Sequence, residues 1–114
     1  MTSGVAIKAG DILGDVYELK FGEYAIVAER SAQRVDLREP RTSEPFGSIR
    51  LGTPRAETGS IWIGRECIGE FELVNGDFVI TPISNGRLDV DIKLRIHPLD
   101  YLLKQAVKLG KLAA

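Results

Sequence analysis

Hydrophobic and polar residues alternate along most of this chain, which is the pattern of β-strands with one buried and one solvated face. The clearest case is residues 87–96. There Leu88, Val90, Ile92, Leu94 and Ile96 share one face, and Asp89, Asp91, Lys93 and Arg95 share the other. We expect this segment to be a strand with its apolar face in the core. Further strands are expected at residues 15–20, 23–29, 34–38, 48–51, 60–64, 70–74 and 77–83.

Two Asn-Gly dipeptides predict tight hairpin turns. Asn75-Gly76 and Asn85-Gly86 each lie between apolar strand patterns. Both residues suit a type I′ turn, which requires positive φ at its two central positions. The strands between residues 67 and 96 are therefore expected to form an antiparallel meander.

Residues 39–60 differ in composition from the strands around them. They contain Pro40, Pro45 and Pro54, three glycines and several Ser and Thr residues. Two ordered loops on either side of a short strand at 48–51 would explain this composition, because a structureless loop of about 20 residues is uncommon in a small domain. A flexible insertion is the alternative.

The end of the chain follows a helical pattern. Pro98 suits the first helical position, and Asp100 lies in the first turn, where the helix dipole favours an acidic residue. The apolar residues of this helix have helical spacing: Leu99, Leu102, Leu103, Ala106 and Val107. Two interpretations remain open, since this stripe could pack on the chain's own strands or on another subunit.

Together these patterns predict a mainly β protein, a single small antiparallel barrel or sandwich of seven to eight strands with a C-terminal amphipathic helix. We divide it into a β domain, residues 1–97, and the helix, residues 98–114.

Composition excludes several classes of protein. The chain has 114 residues, a formal net charge of −1 and one cysteine, Cys67. It can form neither an intramolecular disulfide nor a multi-cysteine zinc site, and it lacks the strong basic character of a DNA-coating protein. It shows no signal-peptide pattern and no apolar run of the roughly 20 residues that cross a bilayer. The expected location is cytoplasmic, with no membrane partner.

Arginines are concentrated in the middle of the chain. Residues 30–65 contain seven Arg and four acidic residues, a net charge of +3. The candidate partner-binding or anion-binding residues are Arg38, Arg41, Arg50 and Arg55, which lie in or beside turns rich in Gly, Ser and Thr. The alternative is a set of solvated or intramolecular ion pairs with nearby Glu residues, which contribute little to stability.

Catalytic chemistry has little support in the sequence. His97 precedes Pro98 at a strand–helix junction, where a helix-capping histidine is more common than a general base, and no base lies near Cys67. Trp62 should face away from Ile61 and Ile63 in its strand, either in the core or at an interface. We expect no cofactor, no metal and no catalytic residue.

The leading hypothesis is therefore a non-enzymatic binding or assembly module that acts by protein–protein contact, as a homo-oligomer or a small subunit of a larger complex. The alternative is a small-barrel nucleic-acid-binding protein that uses the arginine-rich loops. A further alternative is a small accessory subunit of a multi-subunit enzyme.

Overall fold

A computed structural model describes residues 16–52 and 57–112, which form eight antiparallel strands and one helix. The elements are β1 (Val16–Phe21), β2 (Tyr24–Ser31), β3 (Arg34–Arg38), β4 (Gly47–Leu51), β5 (Thr58–Ile63), β6 (Glu66–Val74), β7 (Asp77–Ser84), β8 (Arg87–Leu88) and α1 (Pro98–Lys108). Each strand pairs with the next one along the chain, so the sheet is a simple meander. The prediction of a mainly β, antiparallel fold with a C-terminal helix is confirmed.

The two Asn-Gly dipeptides form the predicted turns. Asn75 and Gly76 have φ values of 51° and 84°, and Asn85 and Gly86 have φ values of 55° and 75°. Asn tolerates this left-handed region better than most residues, and Gly enters it without steric cost. These turns fix the β6–β7 and β7–β8 registers, with Val74 opposite Asp77 and Ser84 opposite Arg87.

One face of the sheet, here called the inner face, carries the hydrophobic core. It includes Ile26, Val35, Leu37, Ile49, Ile61, Phe71 and Ile80, all buried. Helix α1 covers this face at β4 and β5 and adds four fully buried side chains, Leu99, Leu102, Leu103 and Ala106. The helix approaches β4 closely, because a Cβ on Gly47 would lie 3.0 Å from Leu102 Cδ2.

Of the two predicted architectures, a barrel or a sandwich, the closed barrel is not formed. Within the described residues β1 pairs only with β2 and β8 only with β7, and all eight strands belong to one open sheet. A sheet needs its apolar face covered, either by closure or by another layer. Here α1 covers the inner face at β4 and β5, so the core is buried although β1 and β8 are not paired within the described residues.

His97 caps the helix. Its Nδ1 accepts a hydrogen bond of 3.1 Å from the Leu99 backbone N–H, and Pro98 occupies the first helical turn. The imidazole also packs edge-to-face against Phe78, with 4.9 Å between ring centroids. The capping interpretation of His97 is therefore confirmed.

Tyr101 of the helix is hydrogen-bonded to the backbone at a β-bulge in β6. Ile61 pairs with Gly69 and Trp62 with Cys67, which leaves Ile68 without a partner residue in the β5–β6 ladder. The Tyr101 hydroxyl donates to the Ile68 carbonyl oxygen at 2.8 Å. Burial, and secondarily the nearby Cys67, raises the pKa of the Tyr101 hydroxyl, so it remains a protonated donor.

Candidate protein-binding edge

The β7–β8 hairpin decides which face the following residues occupy. Its turn places Leu88 directly opposite Ile83. Because side chains alternate between faces and Ile80 points into the core, Ile83 and Leu88 lie on the other side of the sheet, the outer face. The sequence pattern predicts Leu88 in the core, and that prediction is wrong.

Regular pairing ends at Pro82. The Asp89 N–H donates to the Pro82 carbonyl oxygen at 2.8 Å, but Pro82 has no N–H to donate in return. The chain then turns away from β7, with a hydrogen bond of 3.0 Å from the Ile92 N–H to the Asp89 carbonyl. It rejoins at Leu94, which exchanges hydrogen bonds of 2.7 and 2.9 Å with Ile80.

This excursion changes the register by three residues. Continued hairpin pairing would bring Asp91 opposite Ile80, whereas Leu94 occupies that position. An odd shift moves the following side chains to the other face. Leu94 therefore shares the inner face with Ile80, and Ile96 packs against the core from the same side.

The predicted continuous strand at residues 87–96 is therefore wrong. Only Arg87–Leu88 forms β8, with one isolated bridge at Leu94. Instead of one buried stripe, the alternating apolar side chains are exposed: Leu88 by 44%, Val90 by 66%, Ile92 by 42% and Leu94 by 37%. We call residues 88–96 the edge segment, because they continue from Leu88, the last residue of the last strand of the open sheet.

A groove of about 510 Å³ lies between the edge segment and the outer face of β5, β6 and β7. Leu88, Val90 and Lys93 line its edge-segment side, and Glu70 and Glu72 of β6 lie across from them. Lys93 Nζ donates to Thr81 Oγ1 at 2.8 Å and ties the segment to β7. The lining is a mixture of apolar, hydroxyl and charged groups.

The exposed Arg50 and the half-buried Trp62 form a second feature of the outer face. The Arg50 guanidinium carbon lies 4.1 Å from the centroid of the Trp62 ring, a cation–π contact. Trp62 Nε1 donates to Ser60 Oγ at 2.8 Å, which fixes the orientation of the indole. Arg34 lies directly opposite Arg50 across the β3–β4 ladder and pairs with Asp36 at 2.6 Å. Trp62 faces away from Ile61 and Ile63, as predicted.

The four predicted arginines do not form one cluster. Arg38 Nη1 donates to the Glu39 and Thr42 carbonyl oxygens, at 3.4 and 3.1 Å, and so holds the β3–β4 loop. Arg41 is exposed in that loop, Arg50 lies in β4, and Arg55 falls outside the described residues. Arg34, which the register places opposite Arg50, is absent from the predicted set.

The predicted helix stripe packs on the chain's own sheet. Leu99, Leu102, Leu103 and Ala106 are completely buried, and the partly buried Val107 packs against the same core. The first four side chains therefore have no exposed surface for a partner. The exposed apolar residue of this region is Leu109, which ends the helix.

Comparison with protein-family models, with curated proteins and with solved structures found no match. Function must therefore be inferred from the residues themselves. Over the described ranges, 16–52 and 57–112, no three His, Cys, Asp or Glu side chains are grouped as metal ligands. In the same ranges no helix combines the length and the apolar character that a bilayer crossing requires.

Proposed function

We propose that this protein is a non-enzymatic assembly module, which associates with further copies of itself by protein–protein contact through the edge segment. One observation carries the proposal. Six large hydrophobic side chains are exposed among the described residues, and four of them lie between Leu88 and Leu94. A concentration of exposed apolar side chains on a small protein commonly marks an interaction site.

The position of these side chains supports strand-to-strand contact. The edge segment follows the last strand of an open sheet, and within the described residues no other strand pairs with it on its far side. Such an edge presents backbone donors and acceptors, which native proteins usually protect with charges, bulges or proline. The edge segment has a bulge and four charged residues, and Pro82 lies beside it in β7, but Leu88, Val90, Ile92 and Leu94 are still exposed.

Light scattering after size exclusion tests the proposal with matched variants. We expect the wild-type chain to form an oligomer, and Val90→Ser and Ile92→Ser to shift it toward monomer, because each removes exposed apolar surface from the contact. Leu109→Ser is the control, since this similarly exposed residue lies outside the edge segment. A monomeric wild type, or edge variants that assemble like the control, would contradict the proposal.

Nucleic acid is the second candidate partner, and the Arg50–Trp62 contact favours it. Arg34, which is paired with Asp36, and Arg50 lie opposite each other across β3 and β4, and the half-buried Trp62 lies beside Arg50. A phosphate of an anionic backbone would bind the two guanidinium groups, and a base would stack on the aromatic ring.

Fluorescence of Trp62, the one tryptophan of the chain, reports on this second candidate. Binding of a single-stranded oligonucleotide should change the fluorescence, weaken steeply with salt and disappear in Arg50→Gln, but persist in the loop variant Arg41→Gln. Equal binding at low and high salt, or none, excludes this candidate.

A further inference from the structure

We infer that two copies of the chain pair their edge segments antiparallel about a two-fold axis at Ile92. The inference rests on the proposed assembly function and names its partner and register. Closed two-fold dimers are the commonest oligomers, and their interface must be complementary to itself. The edge segment satisfies this condition through its charges.

The charges of the edge segment are arranged symmetrically around Ile92 with opposite signs. Two acidic residues precede it and two basic residues follow it, in alternation with aliphatic residues. With Ile92 facing its own copy, the facing charged pairs are Asp89 with Arg95 and Asp91 with Lys93, each formed twice. Once the segment extends and its apolar side chains share one face, the facing apolar pairs are Leu88 with Ile96 and Val90 with Leu94. Opposite charges and aliphatic pairs in facing positions both stabilise an antiparallel ladder.

Neighbouring registers lose this complementarity. An axis at Asp91 would bring that carboxylate against its own copy and Arg87 against Arg95, and an axis at Lys93 would bring two ammonium groups together. A shift by one residue would place charged side chains opposite aliphatic ones. Parallel pairing in register would place every charged side chain opposite one of the same sign.

The backbone around Leu94 is oriented for the same pairing. Leu94 directs both its N–H and its C=O to Ile80 of β7. In an extended strand the neighbours of such a residue direct theirs to the opposite side. Lys93 and Arg95, and Asp91 once extended, would therefore present donors and acceptors at the free edge. Ile92 would occupy a position without ladder hydrogen bonds, where the facing Cα atoms are closest.

Pairing requires residues 89–93 to extend, which also releases β8 from β7. Leu88 and Leu94 are now held only three positions apart on β7, and six extended residues do not fit between these two points. The hydrogen bonds from Ile92 N–H to the Asp89 carbonyl and from Asp89 N–H to the Pro82 carbonyl would break, and so would the exposed contact of Lys93 with Thr81. New ladder hydrogen bonds to the partner replace them. The strict alternation of this segment favours a strand, so the bulge is the form that we assign to the unpaired chain.

Charge reversal tests the register directly. Asp91→Lys and Lys93→Asp each convert two attractive pairs of the dimer into repulsive ones, and each alone should weaken dimerisation about tenfold or more. An equimolar mixture of the two variants should recover the dimer mass, because the lysine introduced into one chain would then face the aspartate introduced into the other. The control is Asp77→Lys, an equal charge change at an exposed residue in the β6–β7 hairpin.

Sedimentation equilibrium separates the outcomes. Recovery of the dimer only in the mixture, with Asp77→Lys behaving like wild type, supports the inferred register. A wild-type dimer that both single reversals leave intact overturns the register but leaves the assembly function standing. A wild type that remains monomeric at its highest soluble concentration overturns both.

Discussion

The burial of helix α1 against its own sheet leads to a quantitative prediction for Leu102→Ala. Leu102 is fully buried and lies against Gly47 of β4, where there is no room for a Cβ. The substitution removes three carbon atoms at about 0.8 kcal/mol each, roughly 2.4 kcal/mol of transfer free energy. The backbone at Gly47 is held in the β3–β4–β5 ladder and cannot fill the space, so the residual cavity raises the total to about 3 kcal/mol.

Urea unfolding, followed by Trp62 fluorescence and by circular dichroism, measures this loss. The matched control is Leu109→Ala, the same chemical change at an exposed residue that ends the helix, with an expected effect below about 0.5 kcal/mol. Leu102→Met nearly conserves volume and should cost less than about 1.5 kcal/mol. If Leu102→Ala and Leu109→Ala have equal, small effects, the helix is not part of the core and the packing of α1 on β4 and β5 is refuted.

Two further predictions concern the hydrogen bonds that position α1. His97→Ala removes the helix cap and should lower the free energy of unfolding by about 1 kcal/mol or more, whereas His97→Asn retains a capping acceptor and should lose less; equal losses would show that the cap contributes nothing. Tyr101→Phe removes the donor to the Ile68 carbonyl and should cost about 1 kcal/mol at neutral pH. Because the pKa of Tyr101 is raised in the folded protein, this side chain ionises at a lower pH in the unfolded chain. Wild-type stability should therefore fall as pH rises past the ordinary tyrosine value near 10. The Phe variant lacks this contribution, and its deficit relative to wild type should therefore shrink in alkaline denaturation series; a constant deficit would refute the assignment.

Most of the sheet follows from local signals in the sequence. Alternation identifies β3 and the second half of β6, and the Asn-Gly turns fix the two hairpins because few other residues adopt positive φ so readily. The helix is equally local, since Pro98 and the apolar spacing depend only on the chain itself. Whether the sheet closes is not a local property, because alternation says nothing about which edges meet.

The edge segment shows where alternation is insufficient. Alternation tells which residues share a face, but the turn at Asn85-Gly86 decides which face that is, and it directs Leu88 outward. In the sequence, Pro82 is the residue that signals where the pairing of β7 with β8 ends, because a residue without an N–H interrupts the ladder. That rule places the end of regular pairing at Asp89, where the structure has it.

The four candidate arginines are close together in the sequence, but closeness in sequence does not determine which residues face each other on a sheet. Arg38 and Arg50 lie on different strands and do not face each other, whereas the register brings Arg34 opposite Arg50. That register depends on the length and path of the β3–β4 loop, which composition does not determine. The Arg50–Trp62 contact likewise follows from the β4–β5 pairing.

A disulfide across the dimer axis gives the sharpest test of self-pairing at Ile92. Ile92→Cys is made in a Cys67→Ser background, which removes the one native cysteine. In the inferred register the two Cα atoms at position 92 face each other within the roughly 4.4–6.8 Å that a disulfide spans. Directly facing residues meet this limit, whereas diagonal neighbours are about 7–8 Å apart.

We expect rapid formation of a covalent dimer by Ile92→Cys on mild oxidation. Asp91→Cys and Lys93→Cys should cross-link slowly alone but readily when mixed, because each faces the other. The exposed control Leu109→Cys sets the rate of chance collisions. Cross-linking at Ile92→Cys no faster than at Leu109→Cys would contradict the inferred pairing.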